Sequence, residues 1–227
     1  MSAPVTAAYR DTLVVATTNR GKLLELEALV VGLPLVVRSL AQVMPDPPKV
    51  VEDGATFAEN ALKKARAAAQ ATMMLTLADD SGLEVDALDG RPGVKSARFA
   101  HDRATDAENN AALIAALGGL HEPSLGPNPA RFRCVLALID PFSRNPEARV
   151  VEASCEGAIT RTPRGSGGFG YDPLFVVAGM DKTMAELDEA EKNRVSHRAR
   201  AFAALRPLLQ DVLRERAEQM GRLERTA

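Results

Sequence analysis

Apolar positions along the chain alternate between short β-like runs and longer segments of helical period. A β-branched run at 12–16 passes into Thr17-Thr18-Asn19-Arg20-Gly21-Lys22 and then into a helix-period segment at 23–31, the order strand, polar loop, helix. A second strand is predicted at 35–37, followed by a loop structured by Pro45, Pro47 and Pro48. The clearest helix spans 56–72: Phe57, Ala61, Leu62, Ala65, Ala68 and Ala69 share one face, while Glu59, Lys63, Lys64 and Arg66 fall largely off it. Thr56 and Glu59 have the spacing of a capping box. Apolar residues at 75–78 then meet Asp79-Asp80-Ser81-Gly82. The pattern predicts that this strand stops there and opens on a cleft, the usual ligand position in α/β sheets.

Further along, a helix at 107–117 opens with a second capping box, Thr105 to Glu108, and 118–129 reads as a turn-rich connector. Alternating runs at 132–139 and 149–159 predict an antiparallel hairpin. A glycine cluster, a strand at 174–177 and a terminal helix from about 198 to 218 complete the chain. Strands and helices mixed in this order, followed by a late hairpin, argue for an α/β or mixed α+β fold without an internal domain boundary.

Composition narrows the function classes. The chain has 227 residues, 46% hydrophobic and 26% charged, and its 28 basic and 30 acidic side chains leave a net charge of -2. That balance gives no bulk attraction to a nucleic acid polymer or an anionic membrane, so any basic site must be local. Cys134 and Cys155 have no histidine at zinc spacing, and Cys134 alternates with Phe132, Leu136 and Leu138 as a core residue. The first residues lack the apolar length of a signal peptide, and the expectation is a cytoplasmic protein with reduced thiols. Aromatic residues are scarce: seven Phe, two Tyr and no Trp.

Two familiar phosphate motifs fail on context. Gly165-Ser166-Gly167-Gly168-Phe169-Gly170 has the spacing G-x-G-x-x-G, but a β-like run follows it where a dinucleotide fingerprint needs a helix. A P-loop ending at Gly21-Lys22 would need Gly at Ala16 and Ser or Thr at Leu23. What remains is a polar loop, 17–22, at a strand end and the foot of a helix, suited to phosphate or to simple helix capping. Glu52 and Asp80 are hard oxygen donors on separate segments, a pattern that suits magnesium bound to a nucleoside triphosphate. In an extended strand Asp79 and Asp80 point to opposite faces, so only one of them would meet such an ion.

Five segments in order resemble the inosine/xanthosine triphosphate pyrophosphatases, over about residues 12–210. They are the loop from Thr17 to Lys22; Glu52-Asp53-Gly54-Ala55-Thr56-Phe57-Ala58-Glu59-Asn60-Ala61; Ala78-Asp79-Asp80-Ser81-Gly82-Leu83 with Gly90-Arg91-Pro92-Gly93-Val94-Lys95-Ser96-Ala97-Arg98; Gly167-Gly168-Phe169-Gly170-Tyr171-Asp172-Pro173; and Lys192-Asn193-Arg194-Val195-Ser196-His197-Arg198. The resemblance implies a long, bent mixed sheet flanked by helices, two lobes around a central cleft, and a homodimer. It also implies one catalytic domain at 12–213 between an N-terminal extension, 1–11, and a tail, 214–227. Thr17, Thr18, Asn19, Arg20, Gly21 and Lys22 would hold the triphosphate, and Glu52 and Asp80 would hold Mg2+. Asp80 would also be the proton acceptor, Ser81 would contact substrate, and Phe169, Gly170, Tyr171, Asp172, Lys192, His197 and Arg198 would form the base and sugar pocket.

The expected activity is hydrolysis of ITP, dITP and XTP to the monophosphate and pyrophosphate. Charge neutralisation is most of that task, and it requires no covalent nucleophile. Phe169 would stack on the base for roughly 1–3 kcal/mol. A donor aimed at a 6-oxo group would be left unpaired against adenine, a cost of about 1–3 kcal/mol. A related enzyme with a different base preference, or a nucleotide-binding protein without catalysis, are the alternatives.

Overall fold

The structure, a computed structural model, describes residues 11–120, 128–143 and 147–226. A six-stranded mixed sheet in the order β2-β1-β3-β4-β5-β6 carries the fold. Its strands are β1 (Asp11–Val15), β2 (Leu35–Ser39), β3 (Thr76–Val85), β4 (Asn128–Ile139), β5 (Arg149–Ile159) and β6 (Phe175–Val177). β1 runs parallel to β2 and β3, and the pairs β3–β4, β4–β5 and β5–β6 are antiparallel. The helices are α1 (Arg20–Leu29), α2 (Leu40–Val43), α3 (Phe57–Thr72), α4 (Asp106–Gly118), α5 (Glu189–Val195) and α6 (His197–Thr226).

The predicted strand, loop, helix, hairpin and capped helices are all present. Thr56 caps α3 by accepting from the Glu59 amide, but Glu59 reaches back one residue further than a capping box requires, to the Ala55 amide at 2.7 Å. Thr105 and Glu108 form the reciprocal box at α4. One prediction is corrected: β3 does not stop at the acid pair. It continues to Val85 because β4 offers a partner at every step, from Thr76 opposite Ile139 to Val85 opposite Ala130. α5 was not predicted, and α6 runs on through Pro207 and Leu213 to Thr226. The segment expected as a tail therefore begins inside a helix. Of the expected extension at 1–11 only Asp11 lies among the described residues, and it is the first residue of β1. Residues 121–127 of the connector lie outside them.

The long strands pass from one core to another. Near the β1 side, Leu13, Leu77, Leu136 and Leu138 pack with Leu26 of α1 and Phe202, Leu205 and Leu209 of α6. On the opposite sheet face, Phe57, Ala61, Ala65 and Ala68 of α3 cover Ala78, Val135 and Ala137. Farther along β3 and β4, Leu83, Val85 and Phe132 join Leu113 and Leu117 of α4 and Phe175 of β6. Between the first and third clusters, on the same face, stand Asp79 and Ser81. These two polar side chains mark the seam between the two clusters on that face.

Candidate active site

Strand alternation sorts the acid pair. Asp79 shares a face with Leu77 and Leu83 and meets cations from α1 and α6; Asp80 shares the other face with Ala78 and meets α3. Lys22 Nζ lies 2.5 Å from Asp79 Oδ1, and Arg198 Nε donates to Asp79 Oδ2 at 2.8 Å. Burial alone would push the Asp79 carboxyl up, but the charges of Arg198 and Lys22 outweigh it and hold the group well below the ordinary carboxylate range. The Cys134 thiol, 3.2 Å from the same carboxylate, is pushed well up by burial and by that negative charge.

On the other face Lys64 Nζ lies 2.7 Å from Asp80 Oδ1 and 2.7 Å from Glu52 Oε2, so one ammonium joins the two expected metal ligands. Burial raises the Asp80 carboxyl above its usual value against the pull of Lys64. Burial also works on Glu52, but there the Lys64 charge prevails and lowers it. The backbone of Glu52 is fixed separately, its carbonyl accepting from Arg98 Nη2 at 2.9 Å. Two carboxylates from separate segments, already sharing one cation, make a hard-oxygen donor pair that fits a divalent ion. Among the described residues no cluster of three or more His, Cys, Asp or Glu side chains forms, so such an ion would draw its other ligands from water or from a bound molecule.

The loop from Thr17 to Lys22 turns β1 into α1. Asn19 is the N-cap of α1 and accepts from the Lys22 amide at 3.1 Å, while Thr17 Oγ1 accepts from the Asn19 amide at 3.1 Å. Thr18 and Arg20 are exposed. Gly21 is required for packing: a Cβ there would lie 2.5 Å from Cδ1 of Phe169. The Phe169 ring thus rests on the loop from Thr17 to Lys22, with Lys192 Nζ 5.2 Å and Arg198 Cζ 5.7 Å from its centroid.

Asn19, Lys22, Ser81, Phe169, Gly170, Tyr171, Asp172, Lys192, His197 and Arg198 line one cleft, so most of the residues picked out by the resemblance converge. Arg198 makes a bond from each guanidinium nitrogen: besides Asp79, it bonds Glu25 and donates to Ser81 Oγ at 2.9 Å. Lys192 Nζ pairs with Glu25 at 2.6 Å and Asp172 at 2.7 Å. The His197 ring stacks on Phe132 at 4.8 Å, and its Nδ1 is buried with no hydrogen-bond partner among the described residues. Burial, reinforced by the Arg198 charge, drives the His197 pKa well below its usual value, so the ring is neutral with one donor and one acceptor nitrogen. Tyr171 is a core residue whose hydroxyl donates to the Ser96 carbonyl at 2.8 Å.

Sequence reasoning missed Lys64 and Glu25. Lys64 follows Ala61 by three and precedes Ala68 by four, which puts it at the border of the buried stripe, so the spacing held a signal that its charge masked. Glu25 is one helical turn beyond Lys22 on α1, but its cationic partners are 167 and more residues away, beyond the reach of any local pattern.

The sequence profile of the Ham1 family matches residues 13–208. A Geobacter sulfurreducens protein named dITP/XTP pyrophosphatase is 50% identical over 194 residues, 86% of this chain and 94% of the relative. One of the same name from Desulforamulus reducens is 50% identical over 190 residues, 84% of this chain and 91% of the relative. A HAM1 protein from Coxiella burnetii superposes with a TM-score of 0.77 at 40% identity, covering 88% of this chain and 98% of the other. Matched in sequence across both cores and in fold along nearly the whole length of its relatives, the chain belongs to the Ham1 family.

Proposed function

We propose that this chain hydrolyses deaminated purine nucleoside triphosphates, ITP, dITP and XTP, between the α and β phosphates, releasing the monophosphate and pyrophosphate in a Mg2+-dependent reaction. The observation that carries the reading is the meeting of Glu52 and Asp80 on one ammonium; neither lines the cleft, but Asp80 directly precedes Ser81, which lines it with Asn19, Lys22, Phe169 and His197. The names of the half-identical relatives support the substrate class.

Glu52 and Asp80 would hold the ion, which supplies positive charge against the phosphate oxygens and acidifies a water. Asp80, with its carboxyl raised by burial, would orient an attacking water and accept its proton. Lys22 and the amides at the N-terminus of α1 favour the phosphates, while Asp79 holds Lys22 in place. Phe169 offers its face to the base. Each guanidinium nitrogen of Arg198 already makes one bond within the protein, whereas His197 Nδ1 makes none among the described residues, so we assign direct reading of the base to His197. A neutral imidazole N–H suits a 6-oxo group and is left unpaired by the 6-amino group of adenine. At about 1.4 kcal/mol per decade that mismatch gives on the order of 10- to 100-fold discrimination against ATP.

Incubation with ITP, XTP, dGTP, ATP and dUTP plus Mg2+, with pyrophosphate and orthophosphate measured separately, tests the reading. Pyrophosphate from ITP and XTP is expected. Orthophosphate as first product would refute the cleavage position, and equal rates across bases the specificity. A homodimer belongs to the same proposal: Met73 and Val150 are exposed beside Leu62 and Ile139 in a shallow apolar groove, and sedimentation equilibrium decides it. The buried free thiols of Cys134 and Cys155 suit a reducing, cytoplasmic setting. Among the described residues no helix is long and apolar enough to cross a membrane.

A further inference from the structure

The N-terminus of α4 lines the same cleft, and the chemistry above does not use it. Asp106 Oδ2 accepts from the Gly170 amide at 2.7 Å, and Asn110 Nδ2 donates to the Gly170 carbonyl at 2.9 Å. Asp106 and Asn110 are four residues apart, on one face of α4, and together they grip both polar groups of a single residue. Gly170 has a φ of +62° and no side chain with which to anchor itself, so its orientation depends on that grip. Its neighbours have other partners. The Phe169 amide donates to Asp172 Oδ2 at 3.1 Å, and the Tyr171 hydroxyl is bound to Ser96.

We infer that Asp106, with Asn110, is a positioning residue for the base: by fixing the Gly170 peptide it sets where the Phe169 ring lies over the α1 loop. The inference rests on the function proposed above and names the part of the protein that aims its base-stacking ring. Among the described residues the hydrogen bond of Asp106 goes to Gly170 and not to the 17–22 loop, so its effect belongs to the base and not to the triphosphate.

Steady-state kinetics with ITP and Mg2+, together with inhibition by inorganic tripolyphosphate, separate the two. Asp106→Ala is expected to raise KM for ITP about tenfold, the worth of one charge-assisted hydrogen bond, with kcat little changed. The inhibition constant of tripolyphosphate, which has no base, should not move. Asp106→Asn, whose amide oxygen still accepts from Gly170, should restore KM. An unchanged KM in Asp106→Ala, or a tripolyphosphate constant that rises in step with KM, overturns the inference and leaves the proposed function standing. Wild-type protein that fails to hydrolyse ITP overturns both. Asn110→Ala gives the same comparison if Asp106→Ala does not fold.

Discussion

Asp79 and Asp80 are adjacent in sequence, and the β3 backbone sends them to opposite faces with opposite duties. Asp79 is buried between Lys22 and Arg198, and Asp80 shares Lys64 with Glu52. Asp79→Asn removes the negative charge shared by Lys22 and the buried Arg198 guanidinium, leaving Arg198 to Glu25, and a loss of about 3 kcal/mol in urea unfolding is expected. Asp80→Asn leaves Lys64 paired with Glu52 and should stay within about 1 kcal/mol of the wild type while abolishing pyrophosphate release. Substantial turnover in Asp80→Asn would remove Asp80 from the chemistry. His197 gives a pH signature. It stays neutral in the fold, whereas in the unfolded chain it takes a proton below about pH 6.5. Protons therefore favour the unfolded state, and stability falls as pH drops below that point, by at most about 1.4 kcal/mol per pH unit. His197→Gln should flatten the slope of stability between pH 6.5 and 5 relative to the wild type; equal slopes would mean that the ring is not held neutral.

At the scale of elements, α3 brings a cation to the acid pair from a helix whose buried face is otherwise mostly alanine. Lys64→Met leaves Glu52 and Asp80 facing each other without that charge. The variant is expected to lose about 1–3 kcal/mol in EDTA, and Mg2+ should raise its melting temperature more than that of the wild type. Equal shifts in both proteins would show that the two carboxylates do not form the ion site. Lys64 also marks where the sequence ceases to be legible. The period of α3, the Asn19 loop and the hairpin are local patterns, and each was readable from a few residues. The end of β3 was misread because an acid pair in isolation looks like a strand terminus. It stays in the strand because β4 pairs with it throughout, while Lys22, Arg198 and Lys64, from three different helices, neutralise it. The motif residues of the cleft were recognisable from the resemblance, but the bonds that turn Arg198 inward, and the burial that leaves His197 Nδ1 without a partner among the described residues, exist only after the chain has folded.

For the whole molecule, a site at the seam between two cores requires the elements that meet there to be held from outside it. α6 does much of this. It begins at the site with His197 and Arg198 and passes along the first core through Phe202, Leu205 and Leu209. Past that core, Arg216 Nε donates to Asp11 at the start of β1 and Arg216 Nη1 to Asp140 just beyond β4, both at 2.8 Å. One side chain near the far end of the helix thus ties together two strands that flank β3, the strand carrying both aspartates. Asp11 and Asp140 are buried, so loss of Arg216 strands two carboxylates away from water. Partial exposure of the guanidinium reduces the effect, and Arg216→Met is expected to cost about 2–4 kcal/mol. Because this tie lies outside the cleft, kcat and KM for ITP measured well below the melting temperature should match the wild type even as the urea midpoint falls. A fall in kcat without a fall in the midpoint would mean that α6 transmits strain into the site, and that holding the seam and performing the chemistry cannot be separated.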